Sequence, residues 1–147
     1  MATRSTIGII DNRTGVVTSI YCHWDGYPEH NGEILVKHYT DPDKIQALMD
    51  LGSLSSLGEE IGVKHGFSHL STDLAEAQYL EQYGKMCVAY GRDRGETQVG
   101  SMTHNDIHAW LEHSEEFNYL WDGQRWNCFR GGDIGKTVDL YNIKQNA

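Results

Sequence analysis

Two stretches of alternating, β-branched and aromatic sequence near opposite ends of the chain restrict this protein to folds built on a β-sheet. Arg4-Ser-Thr-Ile-Gly-Ile-Ile10 and Val16-Val-Thr-Ser-Ile-Tyr-Cys22 carry strand-forming residues, and Asp11-Asn-Arg-Thr-Gly15 between them is turn chemistry. Phe117-Asn-Tyr-Leu-Trp-Asp-Gly-Gln-Arg-Trp-Asn-Cys-Phe129 repeats the plan with aromatic strands, Asp122-Gly123 reading as a two-residue turn. Each stretch predicts a β-hairpin. In the first, Val16, Thr18, Ile20 and Cys22 share one face and Val17, Ser19, Tyr21 and His23 the other, because side chains alternate along a strand. Neither face is wholly polar, so both should be partly covered.

The sequence between the hairpins switches to helical spacing. Asn31 is a cap for a helix over 32–39, and Asp41-Pro42-Asp43 opens a second helix whose stripe Ile45, Leu48 and Met49 ends at Gly52. Their short connection predicts one helical layer on the sheet. Residues 53–58 read as a loop or a broken helical turn, and 59–71 have no clean period. A third helix is expected over 73–83, stopped by Gly84, then a buried strand over 86–90 and a charged turn from Arg92 to Glu96. Thr103 can cap a helix reaching His113 with Ile107, Trp110 and Leu111 inward. Residues 137–141 suggest a last edge strand and 142–147 a loose tail. The expected class is α+β: a mainly antiparallel sheet of two β-hairpins plus a central strand, with three or four helices packed on it. At 147 residues a compact chain buries roughly 70% of its unfolded surface, so one domain over 1–147 is expected.

Charge narrows the partners. With 21 acidic against 12 basic side chains and a formal charge of −9, the surface repels phosphate backbones, which disfavours general nucleic-acid binding. Dense carboxylate rows of the kind a DNA mimic needs are missing; Glu59-Glu60 and Glu115-Glu116 are the adjacent acidic pairs. Cys22, Cys87 and Cys128 are odd in number and far apart, which reads as reduced thiols in a cytosolic protein. No apolar run approaches the roughly 18 residues of a membrane span.

The densest chemistry lies in Tyr21-Cys22-His23-Trp24-Asp25-Gly26-Tyr27-Pro28, which closes the first hairpin. Three rings, a thiol, an imidazole and a carboxylate in eight residues suit a core plug, a ligand platform or a binding surface, and spacing leaves all three open. Tyr21, His23, Trp24, Asp25 and Tyr27 are candidates for contacting a ligand or partner. Cys22 and His23 point to opposite faces, so a thiol nucleophile would need another base, for which His38 on the first helix is available. Arg92 and Arg94 offer forked donors to a phosphate or carboxylate; beside Trp24 or Tyr27 they would suit a nucleotide-like ligand, a base on a ring and phosphate on arginine. The plainer reading of that turn is a solvated loop whose charges pair with one another. Eight histidines raise metal binding through His65 and His69, or His104 and His108, four apart as helical ligands are. Spacing supplies no third ligand, so neither a metal nor a cofactor is expected. No nucleophile elbow, zinc-protease helix, phosphate loop or dinucleotide fingerprint is present.

Met1-Ala-Thr-Arg-Ser-Thr-Ile-Gly8, Ile20-Tyr-Cys-His-Trp-Asp-Gly-Tyr-Pro28, Gly32, His38-Tyr39, Ala89-Tyr90 and Arg92-Asp-Arg-Gly-Glu96 form a pattern that resembles small proteins encoded by bacteriophages and prophages. The resemblance runs over most of the chain and implies a product in the cytoplasm of an infected bacterium. It carries no catalytic residue. The expectation is a non-enzymatic accessory protein that inhibits or sequesters a component of host defence or metabolism, its partner a host protein or a nucleotide-like molecule. Self-association as a homodimer stays open. The competing expectation is a small enzyme acting on nucleotides or nucleic acid through histidines and the 92–96 turn.

Overall fold

The structure is a computed structural model that describes residues 3–63 and 85–141. Among them the strands form one eight-stranded mixed sheet. The first hairpin appears as β1 (Ser5–Ile10) and β2 (Val17–Cys22), paired antiparallel with Ile7 opposite Ile20. The turn holds as its chemistry demands, with Asp11 accepting backbone bonds from Thr14 and Gly15. The chain then makes a wide helical turn over Pro28–Gly32 that runs straight into α1 (Glu33–His38), followed by α2 (Pro42–Leu51). Asp41 caps α2 through its carboxylate to Asp43 N, and Gly52, at φ 75°, ends it.

After α2 come β3 (Leu54–Ser56), β4 (Val88–Ala89), α3 (Tyr90–Arg94), β5 (Met102–His104), α4 (Ile107–Leu111), β6 (Phe117–Trp121), β7 (Trp126–Arg130) and β8 (Thr137–Val138). The spatial order is β4-β3-β2-β1-β6-β7-β8, while β5 pairs with the other end of β2. Cys22 meets Leu54 of β3, and Val17 to Ser19 meet His104 to Met102 of β5, so two short strands share one edge of β2.

Both hairpins form antiparallel, but the sheet as a whole is mixed. The hairpins are joined side by side by β1 and β6, which run parallel with Ser5 opposite Phe117, and β2 and β3 are also parallel. The expected central strand over 86–90 is only two residues long and lies at the sheet's edge; β1 occupies the middle. Cys87 and Ala89 are buried all the same, which is what their apolar run signalled. Residues 54–56 are a strand rather than a loop. The helix expected from Thr103 starts later, because Met102 to His104 pair with β2 and Asp106 supplies the cap, accepting from Ala109 N at 2.8 Å. The turn of the second hairpin has four residues, 122–125, not two: Trp121 opposes Trp126, and the Asp122 carboxylate accepts from the Gln124 and Arg125 amides. The predicted helix over 73–83 and the tail over 142–147 lie outside the described residues.

Both faces of the sheet are covered, unequally. On one, Ile7, Ile20, Cys22, Tyr119, Trp126 and Cys128 pack against Leu35 and Tyr39 beside α1 and Ile45, Leu48 and Met49 of α2. On the other, Val17, Leu120 and Phe129 meet Trp110 and Leu111 of α4. The alternation read from the sequence sorts these residues correctly. The short α4 covers only the end of β2 near Val17, so the far end of that face, toward Tyr21 and His23, stands outside this second core.

Candidate ring surface at the end of β2

The segment after Cys22 is held in place from three directions. His23 N and Trp24 N donate to the carbonyls of Leu54 and Ser55, prolonging the pairing with β3. Asp25 turns the chain with φ 58°, a left-handed conformation that Asp tolerates better than most residues. Gly26 then passes so close to β1 that an added Cβ would lie 2.7 Å from Thr3 O and Ser5 Cβ, so only glycine fits. Gly26 N donates to Thr3 O at 2.8 Å, and its carbonyl accepts from the buried Tyr119 hydroxyl at 2.6 Å.

Fully buried Asn31 closes the segment from below. Its Nδ2 donates to Ser5 Oγ and Cys22 Sγ, each at 3.4 Å, and its Oδ1 accepts from His30 Nδ1 at 2.9 Å. Cys22 is thereby a structural thiol. Burial pushes it up to about 12, against the weaker lowering from Asn31, so it stays protonated at neutral pH. His38, its available base, is drawn off to Glu59, with Nε2 3.6 Å from Oε1. No cysteine nucleophile is assembled at Cys22.

With Cys22 turned inward, its neighbours come out on the opposite face. The Tyr21 hydroxyl and His23 Nδ1 are 2.7 Å apart, the His23 tautomer deciding which donates. The Trp24 ring stands edge-on to His23 at 4.8 Å and 88°. Trp24 is 46% exposed and Tyr27 38% exposed. Of the three uses open to this stretch, the core plug is thus excluded for Trp24 and Tyr27. The strip continues along the same sheet face through Ser19 and its cross-strand neighbour Met102, 54% exposed, to His104, whose Nε2 is 3.5 Å from Ser19 Oγ. The His113 ring lies 5.4 Å from His104. Burial first, and then the charge of His113, lowers the His104 pKa. Met102 escapes sequence reasoning, and His104 enters it only as a metal ligand with His108, because nothing in a three-residue strand announces which strand it joins.

The remaining candidates fall elsewhere. Tyr27 lies against His30, ring to ring at 6.0 Å. His30 and His38 line a groove of about 280 Å3 with Glu29, Glu33, Ile34, Lys37 and Glu59 on the outer side of α1. Arg92 is turned inward: Nε and Nη2 grip the buried Asp93 carboxylate, Nη1 donates to Ile61 O at 2.7 Å and Nη2 to Cys87 O at 2.8 Å. Arg94 is exposed beside Glu96, with 3.3 Å between Nε and Oε2. Pairing within the turn therefore describes both arginines, and the Arg92 fork is directed at its own chain rather than at a phosphate.

His104 and His108 sit on different elements, His65 and His69 lie outside the described residues, and among the described residues no three His, Cys, Asp or Glu side chains are grouped to hold a metal ion. No described helix is long and apolar enough to cross a membrane. Searches of family models, of curated proteins and of solved structures return no match to the chain.

Proposed function

We propose that this is a phage-encoded accessory protein that works by non-catalytic binding, covering a protein component of host defence or metabolism in the cytoplasm of an infected bacterium. The observation that carries the reading is the exposure of Trp24 and Tyr27 on a segment whose backbone is rigidly anchored. Large rings held outward on a fixed support lose little freedom when covered, which is how aromatic residues come to dominate protein interfaces. Tyr21, His23 and Met102 extend the strip from Trp24, and Tyr27 stands beyond the Asp25–Gly26 turn against His30. The negative surface would steer it toward a partner with a basic face.

Affinity capture from a bacterial lysate tests this directly. A stoichiometric partner held by the parent protein and lost by Trp24→Ala supports the reading. Absence of a partner from lysates of susceptible bacteria, or its undiminished capture by Trp24→Ala and Tyr27→Ala together, removes it.

One observation favours the competing reading of a small nucleotide-processing enzyme: the His38–Glu59 pair at 3.6 Å inside the α1 groove. A carboxylate beside an imidazole can orient a general base. Conversion of any member of a nucleotide panel by the parent protein, abolished in His38→Gln, would establish that reading instead.

A further inference from the structure

A second site is built on the opposite side of β1 from the ring strip, and it does not depend on the reading above. Phe117 of β6 lies directly opposite Arg130 of β7, and Arg130 N donates to Lys136 O at 2.8 Å, one step before β8 begins. Cross-strand neighbours share a face, so Phe117 of β6, Arg130 of β7 and Lys136 just before β8 form one row. Two like charges set opposite each other in a sheet repel. Among the described residues neither cation has a side-chain hydrogen bond or ion-pair partner. Arg92, Arg94, Lys37 and Arg125 are engaged, by Asp93, Glu96, Glu33 and the Tyr141 ring in turn, whereas Arg4, Arg13 and Lys85 share the open state of Arg130 and Lys136; what sets Arg130 and Lys136 apart is that they stand side by side.

The row borders an open surface depression of about 360 Å3 lined by Glu116, Phe117, Arg130, Gly131 and Lys136, the three charged residues all exposed. Its rim is fixed before any ligand arrives. Gly131, at φ 62°, donates its N–H to Glu116 O at 3.0 Å, while its carbonyl accepts from Nδ2 of the fully buried Asn118 at 2.9 Å. Asn118 is itself locked, its Oδ1 accepting from Thr6 Oγ1 at 2.7 Å. The depression thus offers a guanidinium fork, an ammonium, the exposed part of the Phe117 ring that otherwise packs on the core, and a single carboxylate, each on a strand or next to the start of one.

We infer that the Phe117–Arg130–Lys136 depression binds a mononucleotide, with phosphate on the two cations, the base against Phe117, and Glu116 accepting from a ligand hydroxyl or amino group. Arg and Lys together match a phosphate, one by a planar fork and one as a point charge. A base stacks on an aromatic side chain without need of sequence-specific contacts. Glu116 sets the ligand apart from a bare polyanion, because a carboxylate at the rim repels phosphate that brings no donor with it. The depression lies at the lower end of the size range for small-molecule sites, which suits one nucleotide rather than an oligomer.

Calorimetric titration of the whole protein with AMP, GMP, CMP, UMP and inorganic phosphate tests the assignment. The expected result is saturable binding of at least one mononucleotide, at least tenfold tighter than inorganic phosphate. Arg130→Ala and Lys136→Ala should each weaken it tenfold or more, while Arg94→Ala and Trp24→Ala leave it unchanged. Circular dichroism of the two cation variants should match the parent, since both side chains are exposed and leave the core untouched. The assignment is overturned if no mononucleotide saturates the protein at millimolar concentration, if inorganic phosphate binds as tightly, or if the cation variants bind like the parent.

Discussion

The Tyr119 hydroxyl, in the middle of β6, reaches across β1 to donate to the carbonyl of Gly26, 93 positions earlier in the chain, at 2.6 Å. That bond fastens the loop carrying Trp24 to the sheet beneath it. Tyr119→Phe keeps the ring and removes only the donor, leaving a buried carbonyl unpaired. Urea denaturation should show a loss of about 1 to 3 kcal/mol, and amide exchange should quicken at Gly26 and Asn31 before it does at Ile7. Unchanged exchange at Gly26 would show that the loop is held by its other contacts alone.

The tripeptide Trp-Asp-Gly occurs at 24–26 and again at 121–123, and its two tryptophans have opposite surroundings. Trp24 is 46% exposed, whereas Trp121 is 8% exposed and packs on Trp126 with ring centroids 5.5 Å apart. Trp24→Ala should change stability by no more than about 0.5 kcal/mol, and Trp121→Ala should cost about 3 to 5 kcal/mol. Thermal melts of both variants against the parent check the contrast, and equal losses would place Trp24 in the core after all.

All three described thiols are buried, and burial raises each pKa, Cys22 and Cys128 to about 12 from the ordinary 9.0. The folded chain should therefore resist iodoacetamide at pH 8 and react in urea. The same shifts bear on alkaline stability. A thiol whose folded pKa lies above its unfolded value keeps its proton in the native state while the unfolded chain has released it. Stability is then intact below pH 9 and declines toward pH 12, by about 1.4 kcal/mol per pH unit for each such thiol. Cys128→Ala should make that decline shallower by one thiol's share, read from urea midpoints between pH 8.5 and 10.5.

Arg92 and Arg94 are two residues apart and should behave differently. Arg94→Ala, on an exposed side chain, should leave the melting temperature nearly unchanged. Arg92→Ala removes the charged partner of a buried carboxylate, which keeps the Ala89 amide, and the donors to two carbonyls, and should cost about 3 kcal/mol. Arg92→Lys should recover only part of it, because one ammonium cannot reproduce a fork that spans Asp93, Ile61 and Cys87.

Local chemistry made the first hairpin and α2 readable, whereas α1 grows out of the helical turn over Pro28–Gly32 and Asn31, expected as its cap, is buried on Ser5 and Cys22 instead. Asp11 to Gly15 has one sensible use, and Pro42 and Gly52 mark where α2 starts and stops. What escaped is what depends on residues far apart. Nothing within Ser5 to Ile10 says that its other edge will take Phe117 to Trp121 in parallel, and nothing in Met102 to His104 names β2 as its partner. The four-residue turn after Trp121 formed because the Asp122 carboxylate caps two amides, an option that competes with the tighter Asp-Gly turn. At the candidate site, residue types alone indicated the ring strip, but exposure separated its members. The pairing of Arg92 with Asp93 was readable in sequence, but its burial was not, because two of its other acceptors are backbone carbonyls, which leave no trace in side-chain chemistry. Arg130 and Lys136 went unnoticed because they become neighbours only when β7 and β8 pair.

The parallel seam between β1 and β6 has a consequence for synthesis on the ribosome. Residues 5–9 leave the ribosome more than a hundred peptide bonds before their partners at 117–121. Through that interval the strand destined for the middle of the sheet has one edge open, and pairing over so long a loop is slow. The nascent chain should thus stay sensitive to protease at β1 and β2 until residues 117–121 have been added and are free to pair.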